Sequence, residues 1–263
     1  MAKAHSLPEL VPPLPREVDH RRNLPLSSAF TWLALGWKDL WTKPGPSLVY
    51  GLAVTALSML VIWAMFEFSW DNVLFPALAG FLVIGPVLAI GTYEKSRRLE
   101  AGEKVTLWNM LFPKAGVQHL FFVGGVLMMI MLLWLRAAVL LYAVFFGWLP
   151  FPGLDQLLPM LLGTPRGLAL LAVGTLVGGL FAALAFAVSV LSIPLVLDKQ
   201  EDAFTAMGTS ASYVWNNLPA MLVWGAIVLL LTIVGVATGF LGFIILFPLL
   251  GHATWHAYRT VIG

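Results

Sequence analysis

Two histidines, His252 and His256, stand four residues apart in PLLGHATWHAYR, Pro248 to Arg259. On a helix, positions i and i+4 share a face, so the pair has the spacing of a metal or haem site. A zinc protease needs a glutamate directly after the first histidine as general base, and Ala253 stands there. A haem or copper site needs further axial or soft ligands. The chain has no cysteine, and besides these two only His119 lies near a hydrophobic segment. An oxidase catalytic subunit would need several more intramembrane histidines. The residues therefore point to no metal, no cofactor and no catalytic group. Without cysteine there are no disulfides, iron–sulfur clusters or cysteine nucleophiles. Met128, Met129 and Met131 lack soft partners and read as lipid-facing or core residues. No phosphate-cradling glycine loop, nucleophile elbow or nucleic-acid motif is present.

Other ionisable groups share the spacing of the histidines. Three stretches carry a proline followed by apolar and then polar residues: GPVLAIGTYEKSR, IPLVLDKQED and FPLLGHATWHAYR, with Pro86, Pro194 and Pro248. Asp198 stands four residues after Pro194, as His252 does after Pro248. Glu94 stands eight after Pro86, as His256 does after Pro248, and Arg97 and Arg259 each stand eleven after their proline. The pattern predicts one polar cluster, Glu94, Arg97, Asp198, His252, His256 and Arg259. Its expected contacts are Asp198–His252 and Glu94 with an arginine. Ionisable groups in a membrane mark candidate functional sites, and they also tie helices together.

Long apolar segments must position these groups. The chain is 60% hydrophobic and 11% charged, with mean hydropathy +0.89. A soluble domain carries about 25% charged residues. The composition and the runs of ~18 or more apolar residues predict an all-α polytopic membrane protein. Six transmembrane helices are expected at about 47–68, 73–93, 119–146, 167–197, 218–237 and 240–258, paired as three hairpins. Residues 1–27 are proline-rich and read as a flexible cytoplasmic tail, leaving 28–263 as the membrane domain. Residues 28–43, SAFTWLALGWKDLWTK, have helical spacing. Phe30, Leu33, Trp37, Leu40 and Trp41 share a face that predicts an interfacial amphipathic helix, with Trp32 and Leu35 outside the pattern. The loop from Phe151 to Pro165 is expected to lie as a short helix on the outer surface.

Of fifteen lysines and arginines, only Arg136 and Arg166 fall away from the end that carries both termini. By the positive-inside rule both termini are cytoplasmic. Arg136 interrupts an apolar run and predicts an outer-face charge group with Glu67 and Asp71. Gly174, Gly178 and Ala182, spaced by four, predict close helix packing. The three prolines predict three helix bends.

The stretches WLALGWKDLW, PSLVYGL, GFLVIGPVLAIGTYEKSRRLEAGE and PLLGHATWHAYR resemble an uncharacterised family of bacterial inner-membrane proteins. It is filed as a domain of unknown function, and its members are sometimes labelled cytochrome c oxidase subunits. PLVLDKQEDAFTAMGTSASYVWNN is similar, more loosely, to the connector of several other six-helix bacterial membrane families. The resemblance implies a fold and a bacterial inner-membrane location, and supplies no activity. The expected partners are the lipid bilayer and another integral membrane complex, a respiratory one among the candidates, and no nucleic acid. The expected role is a non-catalytic accessory or assembly protein. The alternative is a small transporter or lipid-binding protein that uses the polar cluster.

Overall fold

A computed structural model of the chain describes residues 19–113, 116–147 and 153–263. The regular elements among them are α1 (Ser28–Trp41), α2 (Pro44–Glu67), α3 (Leu74–Leu88), α4 (Ile90–Glu100), α5 (Leu107–Leu111) and α6 (Val117–Phe146), then α7 (Leu154–Gly163), α8 (Pro165–Ser189), α9 (Ser192–Lys199), α10 (Ala203–Asn216), α11 (Leu218–Ala237) and α12 (Phe243–Val261). Among the described residues five helices are long and apolar enough to cross a membrane: α2, α3 continued by α4, α6, α8 continued by α9, and α11. The last of the six expected spans, α12, does not reach that standard of length and composition. Its second half carries His252, Thr254, His256, Arg259 and Thr260. It takes the centre of the molecule instead, packed against α1, α2, α4 and α11.

The helices fall into two groups. α3, α6 and α8 pack on one another, and α12 gathers α1, α2 and α11. The short helices α4, α5, α9 and α10 join the groups at the basic end. In the gap between them, the Phe81 ring of α3 reaches across to Phe243 and Phe247 of α12.

The two broken spans are closed by inserted hydroxyls. At the α3–α4 break, Tyr50 Oη of α2 donates to the Leu88 carbonyl at 2.7 Å and accepts from the Gly91 N–H at 3.3 Å. At the α8–α9 break, Ser210 Oγ of α10 donates to the Ala187 carbonyl at 2.7 Å and accepts from the Leu191 N–H at 3.2 Å. Backbone groups freed inside a bundle must be satisfied within it, and these two side chains do so. Pro86 and Pro194 flank the breaks from opposite sides, whereas α12 runs unbroken through Pro248. Pro248 has no N–H for the Ile244 carbonyl, and Gly51 of α2 lies directly against that carbonyl.

α1 departs from a purely interfacial helix. Phe30, Trp37 and Trp41 are exposed, as headgroup anchors would be. Leu40 is buried, and so is Trp32, which the amphipathic pattern set aside. Ala29, Trp32, Gly36 and Leu40 form the buried stripe, and Gly36 lies against the backbone of Ala253. Trp32 donates to Thr260 and meets the Trp224 ring edge-on. Residues 1–18 of the expected tail lie outside the described residues. Further along, Arg22 is docked: it bonds the Asn217 side chain, the Val261 carbonyl and Tyr213 Oη. α7 confirms the short helix expected after Phe151.

A side chain at Gly51 would drive its Cβ into the Ile244 carbonyl, while at Gly45 it would meet nothing within 4 Å. Gly51→Ala is therefore expected to destabilise the protein by about 1–3 kcal/mol, the cost of overpacking. Gly45→Ala is expected to stay within about 0.5 kcal/mol of the parent. Unfolding in detergent checks the pair.

Candidate functional site

His252 lies on α12 one turn after Pro248, where α1, α2 and α4 all press against the helix. It is fully buried. Each ring nitrogen meets a hydroxyl: Nε2 is 2.9 Å from Ser47 Oγ of α2, and Nδ1 is 2.8 Å from Ser96 Oγ of α4. The neighbours set the tautomer. Lys95 Nζ can only donate, and it gives a proton to Ser47 Oγ at 2.7 Å. Ser47 is left to donate to His252 Nε2. Ser96 Oγ donates to Asp39 Oδ2 of α1 at 2.7 Å, so it accepts from the protonated Nδ1. His256 Nε2 reaches the same carboxylate oxygen at 2.9 Å. One directed chain thus runs Lys95–Ser47–His252–Ser96–Asp39, with His256 closing its outer end.

Lys95 is 0% exposed and makes no direct ion pair among the described residues. Its other protons go to the carbonyls of Leu40 and Lys43, at 3.3 and 3.1 Å. The Leu40 carbonyl lies in the last turn of α1, where a positive charge meets the negative end of the helix dipole, and the Lys43 carbonyl lies in the turn to α2. Burial pushes the Asp39 carboxyl up, but hydrogen bonds from His256 and Ser96 and the nearby histidines outweigh it. The net effect holds Asp39 below the usual carboxylate range.

The remaining groups form two further sets. Glu94 accepts from Arg97 at 2.8 and 3.0 Å and from Arg98 at 2.6 Å, and both arginines also meet Glu103. Arg259 bridges Glu100 of α4 and Asp198 of α9, at 2.9 and 3.4 Å. Tyr258 Oη donates to Asp198 at 2.6 Å, and Trp255 Nε1 donates to Glu100 at 3.0 Å.

The six residues predicted from proline spacing do gather at one end, in these adjoining sets. The expected Glu94–arginine contact is present. The expected Asp198–His252 contact is not formed: Asp198 turns to Tyr258 and Arg259, while serines take both histidine nitrogens. The register fails because His252 faces α1, α2 and α4, whereas α9 packs beside α4 near the end of α12. Spacing did not reveal Asp39, Ser47, Lys95 or Ser96. Asp39 is the sole acid in 28–43, which was the available signal. Lys95 reads in sequence as one more positive-inside charge.

Chemically, Ser47, His252 and Asp39 resemble parts of a nucleophile relay with Ser96 interposed. Ser47 is fully buried and its Oγ is held by Lys95 and His252, so no substrate atom can approach it. The only buried side-chain polar atoms without partners among the described residues are Ser189 Oγ and Trp224 Nε1, both outside this network. Among the described residues no group of three or more His, Cys, Asp or Glu is placed to hold a metal.

The other predicted groups separate. Arg136 and Glu67 are exposed, with no ion pair between them among the described residues; the Asp71 side chain lies outside those residues. Gly178 packs under the Trp134 ring of α6, so one close contact of the small-residue stripe exists. Gly174 faces open space, and it lines a cavity with Gly178 and Ala182.

Residues 74–198 match the model of a family described as a predicted integral membrane protein, DUF2189. The match agrees with the resemblance seen in the sequence. It covers α3 to α9, with Glu94, Arg97 and Asp198, and stops short of the histidine helix. No curated protein and no solved structure matches the chain.

Asp39→Asn is expected to cost about 1.5–3 kcal/mol of stability at neutral pH, the worth of hydrogen bonds to a charged group. The lowered carboxyl gives stability that is present above the unfolded value of ~3.9 and is lost as pH falls through the folded one. The wild type should therefore lose stability on acidification below about pH 4, and Asp39→Asn should lose less over the same window. Unfolding midpoints in detergent across that range measure both.

Proposed function

We propose that the protein is a non-catalytic accessory or assembly partner of another integral membrane complex, set in a bacterial inner membrane with its basic end in the cytoplasm. The observation that carries this reading is the closure of the polar cluster. Its central histidine, lysine and serines are buried and partnered within the chain, with no room for a substrate. Closure is also why we prefer this role to transport through the cluster.

The basic end offers a surface for such a partner. α10 is too short to cross a membrane, yet its Phe204 and Trp215 are 70% and 76% exposed. Exposed aromatics of this size act as anchors in protein interfaces. Trp108 on α5 and Phe112 directly after it stand at the same end and are exposed too.

The native chain has no cysteine, so single cysteines report topology cleanly. Lys104→Cys is expected to react with a membrane-impermeant thiol reagent only after the cytoplasmic side is opened, and Glu67→Cys from the outside of intact cells. The reverse pattern would invert the orientation. Affinity purification in mild detergent is expected to recover a stoichiometric membrane complex. Phe204→Ala with Trp215→Ala should lower that recovery about tenfold, equivalent to 1.4 kcal/mol. Recovery of the protein alone from native membranes would sink the accessory role.

A further inference from the structure

The second feature of the molecule lies at the far end from the basic cluster. Between α3, α6 and α8 there is a cavity of about 660 Å³. Ligand sites run from roughly 300 to 1,000 Å³. Among the described residues no charged side chain lines it, and its polar groups are few: Asn72, Tyr142, Thr175 and the indole of Trp134. The indole is already committed, donating to the Pro76 carbonyl at 2.9 Å.

The cavity exists because side chains are missing. Gly174 and Gly179 on α8 would each meet nothing within 4 Å if a Cβ were added. Gly178, between them, is in contact with Trp134, which forms one wall. The lining on α8 runs from Leu170 to Ala182. At 1.5 Å per residue from Pro165, that is a depth of ~8 to ~26 Å below the helix start. The lining thus starts in the far leaflet and reaches past the midplane of a hydrocarbon core of ~30 Å. α7 covers the far end, with Leu157 buried and Leu161 lining the cavity, and with Leu158 and Leu162 turned outward.

The pocket is open along one side, with Thr175 and Gly179 of its lining exposed, so it is filled by whatever solvent meets it at this depth. The solvent at this depth is hydrocarbon. A charged headgroup finds no partner inside, so it stays at the surface. We propose that the cavity binds the acyl chain of a bilayer phospholipid, entering from the leaflet at the far end, with the headgroup left beside α7. The site is separate from the polar cluster and does not depend on the accessory role.

The test uses the full chain, reconstituted in phosphatidylcholine vesicles that contain a phospholipid with a photoreactive group on its acyl chain. Crosslinked peptides are then mapped by mass spectrometry. The wild type is expected to be labelled on α8 between Gly174 and Ala182 and on α6 near Ala138. Gly174→Leu and Gly179→Leu put side chains where a Cβ meets nothing within 4 Å, so each should cut that labelling about tenfold, equivalent to 1.4 kcal/mol. Labelling of the exposed Leu230 on α11 should not change, and the unfolding midpoint should not fall. Cavity labelling that is absent in the wild type, or that survives both substitutions, overturns the proposal. Stronger cavity labelling by a photoreactive free fatty acid at equal concentration overturns the phospholipid assignment.

Discussion

A histidine at the centre of a membrane protein must find two hydrogen-bond partners within the chain, because hydrocarbon offers none. His252 finds Ser47 and Ser96, from two different helices. Each serine then needs its own partner, which brings Lys95 to one side and Asp39 to the other. Three helices, α1, α2 and α4, are thereby fixed around α12 by one continuous bond chain. The arrangement has a definite sense: an ammonium that only donates at one end and a carboxylate that only accepts at the other. A half-satisfied network of this kind would cost more than an apolar core. That explains why α12 is central although it is the least hydrophobic of the long helices at its basic end. α1, α2 and α4 exclude lipid from it.

Much of this architecture was legible. Apolar runs locate the long helices, because a single segment satisfies its own backbone in lipid only as a helix. Proline positions mark where the polar groups gather. What stayed hidden depends on which face of a helix meets which neighbour. Trp32 broke the amphipathic pattern of α1 because the pattern assumes a single buried surface. α1 has two, a lipid-side face with Phe30 and Trp37 and a protein-side face with Trp32 and Gly36. Lys95 was hidden for a related reason. A lysine near the end of a membrane helix usually snorkels to the headgroups, and only the free carbonyls of Leu40 and Lys43 draw this one inward. The Asp198–His252 pairing failed because spacing from a proline fixes depth along a helix and leaves rotation about its axis open.

The two breaks in the long helices show the same economy. A hydroxyl inserted between a carbonyl and an N–H replaces a lost helical hydrogen bond. Tyr50 does this for α3 and α4, and Ser210 does it for α8 and α9. Each hydroxyl comes from a helix outside the broken span, so each break is also a cross-link between elements. The equivalent place on α12 has no break, and Gly51 brings α2 against the carbonyl that Pro248 leaves free. The three prolines therefore sit in similar sequence settings but in two different structural solutions, a hydroxyl-bridged break and an unbroken helix.

The molecule is consequently asymmetric along the membrane normal. At the basic end, polar side chains are numerous, buried and paired. At the far end of α3, α6 and α8, small residues withhold contacts and leave an apolar void. The Gly174, Gly178 and Ala182 spacing is the same signal that in many membrane proteins brings two helices close. Here only Gly178 has a partner in contact, the Trp134 ring, and that ring is itself pinned to Pro76. A small-residue stripe states how closely something can approach, and leaves open whether that something is a helix or a lipid. With its neighbours held apart by an indole fixed to the backbone of α3, this stripe admits a chain thinner than a helix.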